Sequence, residues 1–163
     1  MKKLIIINGP PASGKSTTLA LLRPKLKNYV FVDRAYIKQM LKPLSKKLRK
    51  ELSSHVSRFL ITEAMKQKKN ILTQEMCFDF FLKDALKYEY KIHEFSLYCT
   101  FLTALKRDKE RSGKAKVGTI RKIHKKFRDK QPVASLVINT EENSPEKILK
   151  IMLKEIRKTY KER

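Results

Sequence analysis

Leu4-Ile5-Ile6-Ile7 is an unbroken apolar run that reads as a strand buried on both faces. A glycine- and proline-rich turn follows, and Thr17 to Leu22 reads as the start of a helix. Tyr29-Val30-Phe31-Val32 predicts a second strand that ends at Asp33. A helical stretch from Ala35 to Leu41 stops near Pro43. Between about Ser45 and Lys68, apolar Leu48, Leu52, Val56, Phe59, Leu60 and Ala64 recur at helical spacing, so they predict a long helix buried on that face. Asn70 to Glu75 reads as a third strand, Asp79 to Lys87 as a helix, and Tyr90 to Tyr98 as holding a fourth strand. Thr100 or Thr103 can cap a helix running to about Arg111, and Val117 to Arg128 predicts another. Val133 to Ile138 reads as a fifth strand; Ser144 as cap and Pro145 at the first helical position open a last helix.

Strands alternate with helices throughout, which predicts an α/β fold in which a five-stranded parallel sheet is covered by helices on both faces. Ligands of such sheets sit at the carboxyl ends of the strands. The glycine turn, Asp33 and Glu75 all fall at strand ends. No repeat, linker or low-complexity tract interrupts the pattern, so the whole of residues 1–163 reads as one domain.

The turn itself carries the strongest chemistry. Gly9-Pro10-Pro11-Ala12-Ser13-Gly14-Lys15-Ser16 fits G-x-x-x-x-G-K-[ST], the loop that wraps nucleotide phosphates. Strand, loop and helix are the context that this chemistry needs. The glycines let the backbone turn its N–H groups inward, and the helix start adds partial positive charge there. Gly9 through Thr17 therefore form the candidate nucleotide cradle, with Lys15 reaching the β- and γ-phosphates and Ser16 holding Mg²⁺. No N-K-x-D motif for guanine is present, which favours ATP over GTP.

Moving a phosphoryl group also needs a base for the accepting hydroxyl and positive charge over the phosphates. Asp33 is the candidate base; it could equally cap the helix that follows. Glu75 can bind Mg²⁺ or position the acceptor, or form a surface ion pair. Arg107 and Arg111 project from one helix face, and Ser112-Gly113-Lys114-Ala115-Lys116 follows as a basic loop, so residues 107–118 read as a small lid. Arg34 is a candidate grip for an acceptor phosphate, and Tyr36 and Phe78 are candidates for stacking on a base. His55, His93 and His124 have no partner at ligand spacing and receive no role.

Composition bounds the rest. The chain is 41% hydrophobic, enough for a core, yet no apolar run approaches the roughly 20 residues of a membrane span. Cys77 and Cys99 have no metal-ligand spacing, so they read as buried thiols of a reduced, cytoplasmic protein. Lys and Arg number 39 against 16 acids, a net charge of +23. Ten basic residues against two acids lie between Lys38 and Lys69, and twelve against three between Lys106 and Lys130. Such clustering favours a polyanionic partner, because each phosphate contact releases counterions.

With these blocks in view, the chain resembles the small P-loop phosphotransferases that include polynucleotide 5′-hydroxyl kinases, with zeta-toxin-type and small-metabolite kinases as relatives. The likeness rests on Gly9 to Thr17, on Val32-Asp33 with its short helix, and on Arg107-Asp108-Lys109-Glu110-Arg111-Ser112-Gly113, which matches R-x-x-x-R-x-G. It implies a three-layer P-loop kinase-like fold with a lid, Asp33 as general base and Arg111 on the ATP phosphates. Two positions depart from the family pattern: Tyr36 stands where an arginine often grips the acceptor, and Glu75 where aspartate is common. The expected activity is ATP- and Mg²⁺-dependent phosphorylation of a hydroxyl, foremost the 5′-OH of RNA or DNA, with no membrane partner. The alternatives are a nucleoside or small-metabolite kinase of the same fold, and a nucleic-acid-binding P-loop protein without phosphotransfer.

Overall fold

The computed structural model describes residues 1–74, 79–111, 117–129 and 136–158. The strands are β1 (Lys2–Asn8), β2 (Tyr29–Asp33), β3 (Asn70–Gln74), β4 (Tyr90–Tyr98) and β5 (Leu136–Asn139). They form one parallel sheet in the order β2-β3-β1-β4-β5. The helices are α1 (Lys15–Leu22), α2 (Arg34–Met40), α3 (Lys46–Lys66), α4 (Asp79–Lys87), α5 (Phe101–Arg111), α6 (Val117–Asp129) and α7 (Pro145–Arg157). This is the α/β architecture, one parallel five-stranded sheet with helices, that the alternation of strands and helices predicts. No helix among the described residues is long and apolar enough to cross a membrane.

Local chemistry sets the helix starts. Ser45 Oγ accepts from Leu48 N at 3.3 Å to cap α3, and Ser144 Oγ accepts from Lys147 N at 3.3 Å to cap α7. Pro145 and Glu146 then suit the first turn of α7, where a missing N–H costs nothing and an acid meets the positive helix end.

The chain packs as two compact units. The first comprises Met1–Ile6 and Leu26–His93. Its core gathers Leu4, Ile6, Val32, Ile71 and Tyr90 from strands with Ile37, Ile61, Ala64, Met65 and Ala85 from helices. The α3 face expected to be buried packs only in part: Ala64 is in the core, Val56 packs against it and Leu52 is half-buried. Leu48, Phe59 and Leu60 are exposed, while Ser53, Ser57, Ile61, Ala64 and Met65 are buried. Helix α3 lies against β2 and β3, with Ile61, Ala64 and Met65 in the shared core.

The second unit comprises Ile7–Lys25 and Glu94–Arg163. Here α1 packs on α7, and α5 on α6. Phe95, Leu97 and Ile138 are buried on one sheet face. Ser96 pairs in register with Val137 on the other face. Cys99, Ala104 and Ile120 form a small cluster against Ala12, Phe101 and Leu105. Cys99 is a buried free thiol, as expected; Cys77, for which the sequence gives the same expectation, lies outside the described residues.

Candidate nucleotide site

The buried strand β1 ends in Asn8, which fixes the start of the phosphate loop. Its Oδ1 accepts from Gly9 N at 2.7 Å, and its Nδ2 donates to the buried Glu94 at 3.3 Å. Gly9 then turns at φ 147°, and a Cβ there would lie 2.3 Å from the carbonyl oxygen of Leu97. Only glycine fits. Ala12 sits at φ 59° and Gly14 at φ 87°, so left-handed residues recur along the loop, the backbone form that turns N–H groups toward an anion.

Helix α1 starts directly after Gly14 with no side-chain cap and no acid in its first turn. The helices α2, α3 and α7 are all capped by side chains. Ser13 inside the loop is fully buried, and its Oγ has no hydrogen-bond partner in the structure. Lys15 Nζ donates to the Gly9 carbonyl at 2.7 Å and the Pro10 carbonyl at 2.6 Å, so its ammonium lies along the loop. A positively ended helix, an orphaned hydroxyl and an ammonium held at the loop together fit a nucleotide's phosphates. Ser16 and Thr17 stand at the head of α1, and both are exposed. Among the described residues no three His, Cys, Asp or Glu side chains gather to hold a metal. Mg²⁺ keeps several waters and binds mostly through phosphates, so a site of this kind needs few protein ligands.

Arg107 of α5 reaches the loop, where its hydrogen bonds are to the protein's own oxygens. It donates to the Ala12 carbonyl at 3.4 Å, to Thr140 Oγ1 at 2.8 Å and to the Thr140 carbonyl at 2.8 Å. Beside it lies a cavity of about 340 Å³ bordered by Ala12, Gly14, Thr17, Arg107, Thr140 and Asn143. The turn after β5 is tied to α5 through Glu141, which accepts from the Thr100 main-chain N–H at 3.1 Å, from Thr100 Oγ1 at 2.8 Å and from Thr103 Oγ1. Those bonds, Thr103 first, hold the Glu141 carboxyl below the usual carboxylate range. Burial pushes the Cys99 thiol up, against the lowering effect of Arg107. Arg111 ends α5, and its side chain, like the loop 112–116, lies outside the described residues.

The acceptor candidates belong to the first unit. Asp33 closes β2, and its Oδ1 accepts from Ala35 N at 2.8 Å, so it does cap α2. Arg34 donates to Ser53 Oγ at 3.4 Å and to the Lys50 carbonyl at 3.3 Å, bracing α2 on α3. Tyr36 is exposed. Glu75 and Phe78 lie outside the described residues. Sequence reasoning passes over Gln74, which pairs in register with Asp33 and has a buried amide oxygen without a hydrogen-bond partner. It also gives His124 no role, yet the His124 Nε2 lies 3.0 Å from the Pro11 carbonyl of the loop. Only spatial proximity reveals either; no spacing in the sequence does.

Comparison with solved structures finds the same fold at low identity. The tunicamycin resistance protein of Deinococcus radiodurans superposes with a TM-score of 0.70 at 18% identity, covering 98% of each chain. The APS kinase CysC of Mycobacterium tuberculosis, solved with AMPPNP and APS, gives 0.71 at 15% identity, covering 96% of this chain and 98% of that one. A chain of the Pnkp1/Rnl/Hen1 RNA repair complex gives 0.64 at 22% identity over 78% of this chain but 44% of its own length. No curated protein matches the sequence. A family profile described as "AAA domain" matches residues 5–130, a span that holds the phosphate loop, Asp33 and Arg107. The chain therefore belongs to the AAA domain family, with the fold of the P-loop kinases.

Proposed function

We propose that this protein is an ATP-dependent kinase that moves the γ-phosphoryl group to a hydroxyl, and that the 5′-hydroxyl end of RNA or DNA is its acceptor. The observation that carries the phosphotransfer reading is the loop itself, with a buried unpaired Ser13 hydroxyl at an uncapped helix start. The 340 Å³ cavity beside Thr17 and Arg107 is of a size to receive the base. The charge of +23, clustered along two stretches, supports a polyanionic acceptor.

Bound ATP would supply the phosphoryl group, and Mg²⁺ would offset the charge on its oxygens. Gly9 to Thr17 would hold the triphosphate, Lys15 would neutralise charge at the β- and γ-phosphates, and Ser16 would ligate the metal. Asp33 would take the proton of the acceptor hydroxyl as its oxygen bonds to phosphorus and the bond to the ADP leaving oxygen breaks. Arg107 would keep the loop in shape, and Arg111 would stabilise the transferring group. Arg34, Tyr36, Gln74 and Glu75 would position the acceptor. The chain would act as one domain in the cytoplasm.

A second reading, a kinase for a small metabolite, is favoured by the likeness to an APS kinase across nearly both full lengths. Salt separates the two. A polynucleotide acceptor predicts a KM that rises steeply with salt, whereas a small metabolite predicts a shallow dependence. A flat KM for oligonucleotides between low and physiological salt would contradict the polynucleotide reading.

A further inference from the structure

A second cavity, of about 840 Å³, lies wholly within the second unit under α6. Its size is that of a site for a small organic ligand. Phe101 and Phe127 supply aromatic wall, and Arg121, Lys125 and Arg128 line it from α6. These cations recur at helical spacing, so one helix face turns a row of positive charge toward the space. Ser96 lines the same cavity from β4. It is 1% exposed, and its Oγ has no hydrogen-bond partner. A buried hydroxyl without a partner is costly, and a ligand atom in the cavity would satisfy it. Arg121 already lies 5.2 Å from the centroid of the Phe101 ring, so a cation and an aromatic face are presented together.

Flat rings, exposed cations, of which Arg128 also lies 3.7 Å from Asp129, and one unpaired hydroxyl match an aromatic base that bears a phosphate. We propose that this cavity binds one nucleotide, apart from the cavity beside Thr17 and Arg107. The site needs neither the γ-phosphate nor Asp33, so it stands or falls apart from the phosphotransfer reading. Pro10 of the loop is also part of its wall, so an occupant would touch the loop.

The test measures binding of a 3′-labelled single-stranded oligoadenylate by fluorescence anisotropy, without ATP. Val137→Trp fills the cavity from β5, and the pair Arg121→Ala with Lys125→Ala removes two of its cations. The pair Lys46→Ala with Lys47→Ala removes equal charge from exposed positions of α3. Filling the cavity and removing its cations should each weaken binding about tenfold or more, and the α3 pair less than about threefold. Equal losses from the two pairs, or no loss from Val137→Trp, would overturn the proposal in favour of diffuse attraction. Circular dichroism checks that each variant folds. Photocrosslinking of the unmodified protein with a 4-thiouridine oligonucleotide gives an independent readout. Crosslinks on peptides holding Phe101 or Phe127 support the site; crosslinks only elsewhere overturn it. Competition by AMP distinguishes the source. Displacement shows that a mononucleotide suffices and its absence shows that the nucleotide belongs to a strand, and both outcomes support the cavity if the crosslinks fall there.

Discussion

Arg107 donates to both oxygens of a single residue, the hydroxyl and the main-chain carbonyl of Thr140, at 2.8 Å each. The same guanidinium reaches the carbonyl of Ala12, whose left-handed backbone shapes the phosphate loop. One planar fork thus fastens the turn after β5 to the loop, a task for which arginine's rigid donors suit better than lysine's single ammonium. Arg107→Ala should cost about 1–3 kcal/mol of stability, since it leaves partly buried acceptors unpaired. Arg107→Lys should recover only part of that, as read by urea denaturation, and should weaken ATP binding through the loosened loop.

The two loop glycines answer different constraints. At Gly9 a side chain meets the Leu97 carbonyl at 2.3 Å, whereas at Gly14 the nearest atom, Thr140 Cγ2, is 3.8 Å away. Gly9→Ala should therefore displace the loop and abolish nucleotide binding. Gly14→Ala should cost only the left-handed backbone strain, about 1–2 kcal/mol, and keep measurable binding. Calorimetric titration with ATP separates the two. Equal effects would contradict the assignment.

Asp33 has one observed role, the α2 cap, and one proposed role, the base, which a pair of substitutions can split. Its Oδ1 caps α2 through Ala35 N. Asparagine caps as well as aspartate but is no base. Asp33→Asn should leave stability within about 0.5 kcal/mol and lower kcat by about a hundredfold or more. Asp33→Ala should lose both, with about 1 kcal/mol of stability gone. An Asp33→Asn enzyme with ordinary kcat would leave the residue as a cap alone.

Much of this is legible in the sequence, because the signals are local. Ser45, Ser144 and Pro145 mark helix starts by their own chemistry, and the structure places caps where they stand. The loop from Gly9 to Ser16 is a contiguous string with fixed backbone demands. Periodicity finds Val56 and Ala64 on α3 but overextends to Phe59 and Leu60, which are exposed, and passes over the buried Ser53 and Ser57 because it rewards only large apolar residues. His124 on the Pro11 carbonyl and Gln74 beside Asp33 are tertiary juxtapositions, written in no spacing. The spacing of Arg107 locates it at the loop and suggests a phosphate ligand; only geometry shows that Thr140 holds it.

Glu141 gives a pH signature. Hydrogen bonds from Thr103 and then Thr100 lower its pKa in the folded chain. A depressed folded pKa adds stability above the ordinary carboxylate range, and that stability is lost as pH falls through the folded value. The carboxylate is exposed, so the gain at neutral pH should stay below about 1 kcal/mol. Thr103→Val should shrink it. Urea midpoints from neutral pH down to about pH 3 should then fall less steeply in the variant than in the parent. Parallel curves would show that the bond to Thr103 does not set this carboxylate.

The most direct measurement incubates a 5′-hydroxyl oligonucleotide with γ-labelled ATP and Mg²⁺, beside nucleosides and simple sugars as rival acceptors. Label should appear on the strand's 5′ end, yield to phosphatase, and fall by about a hundredfold or more in Lys15→Ala, which removes the ammonium now resting on the Gly9 and Pro10 carbonyls. Label confined to the small acceptors, or a Lys15→Ala protein that labels strands at the parent rate, would contradict the account.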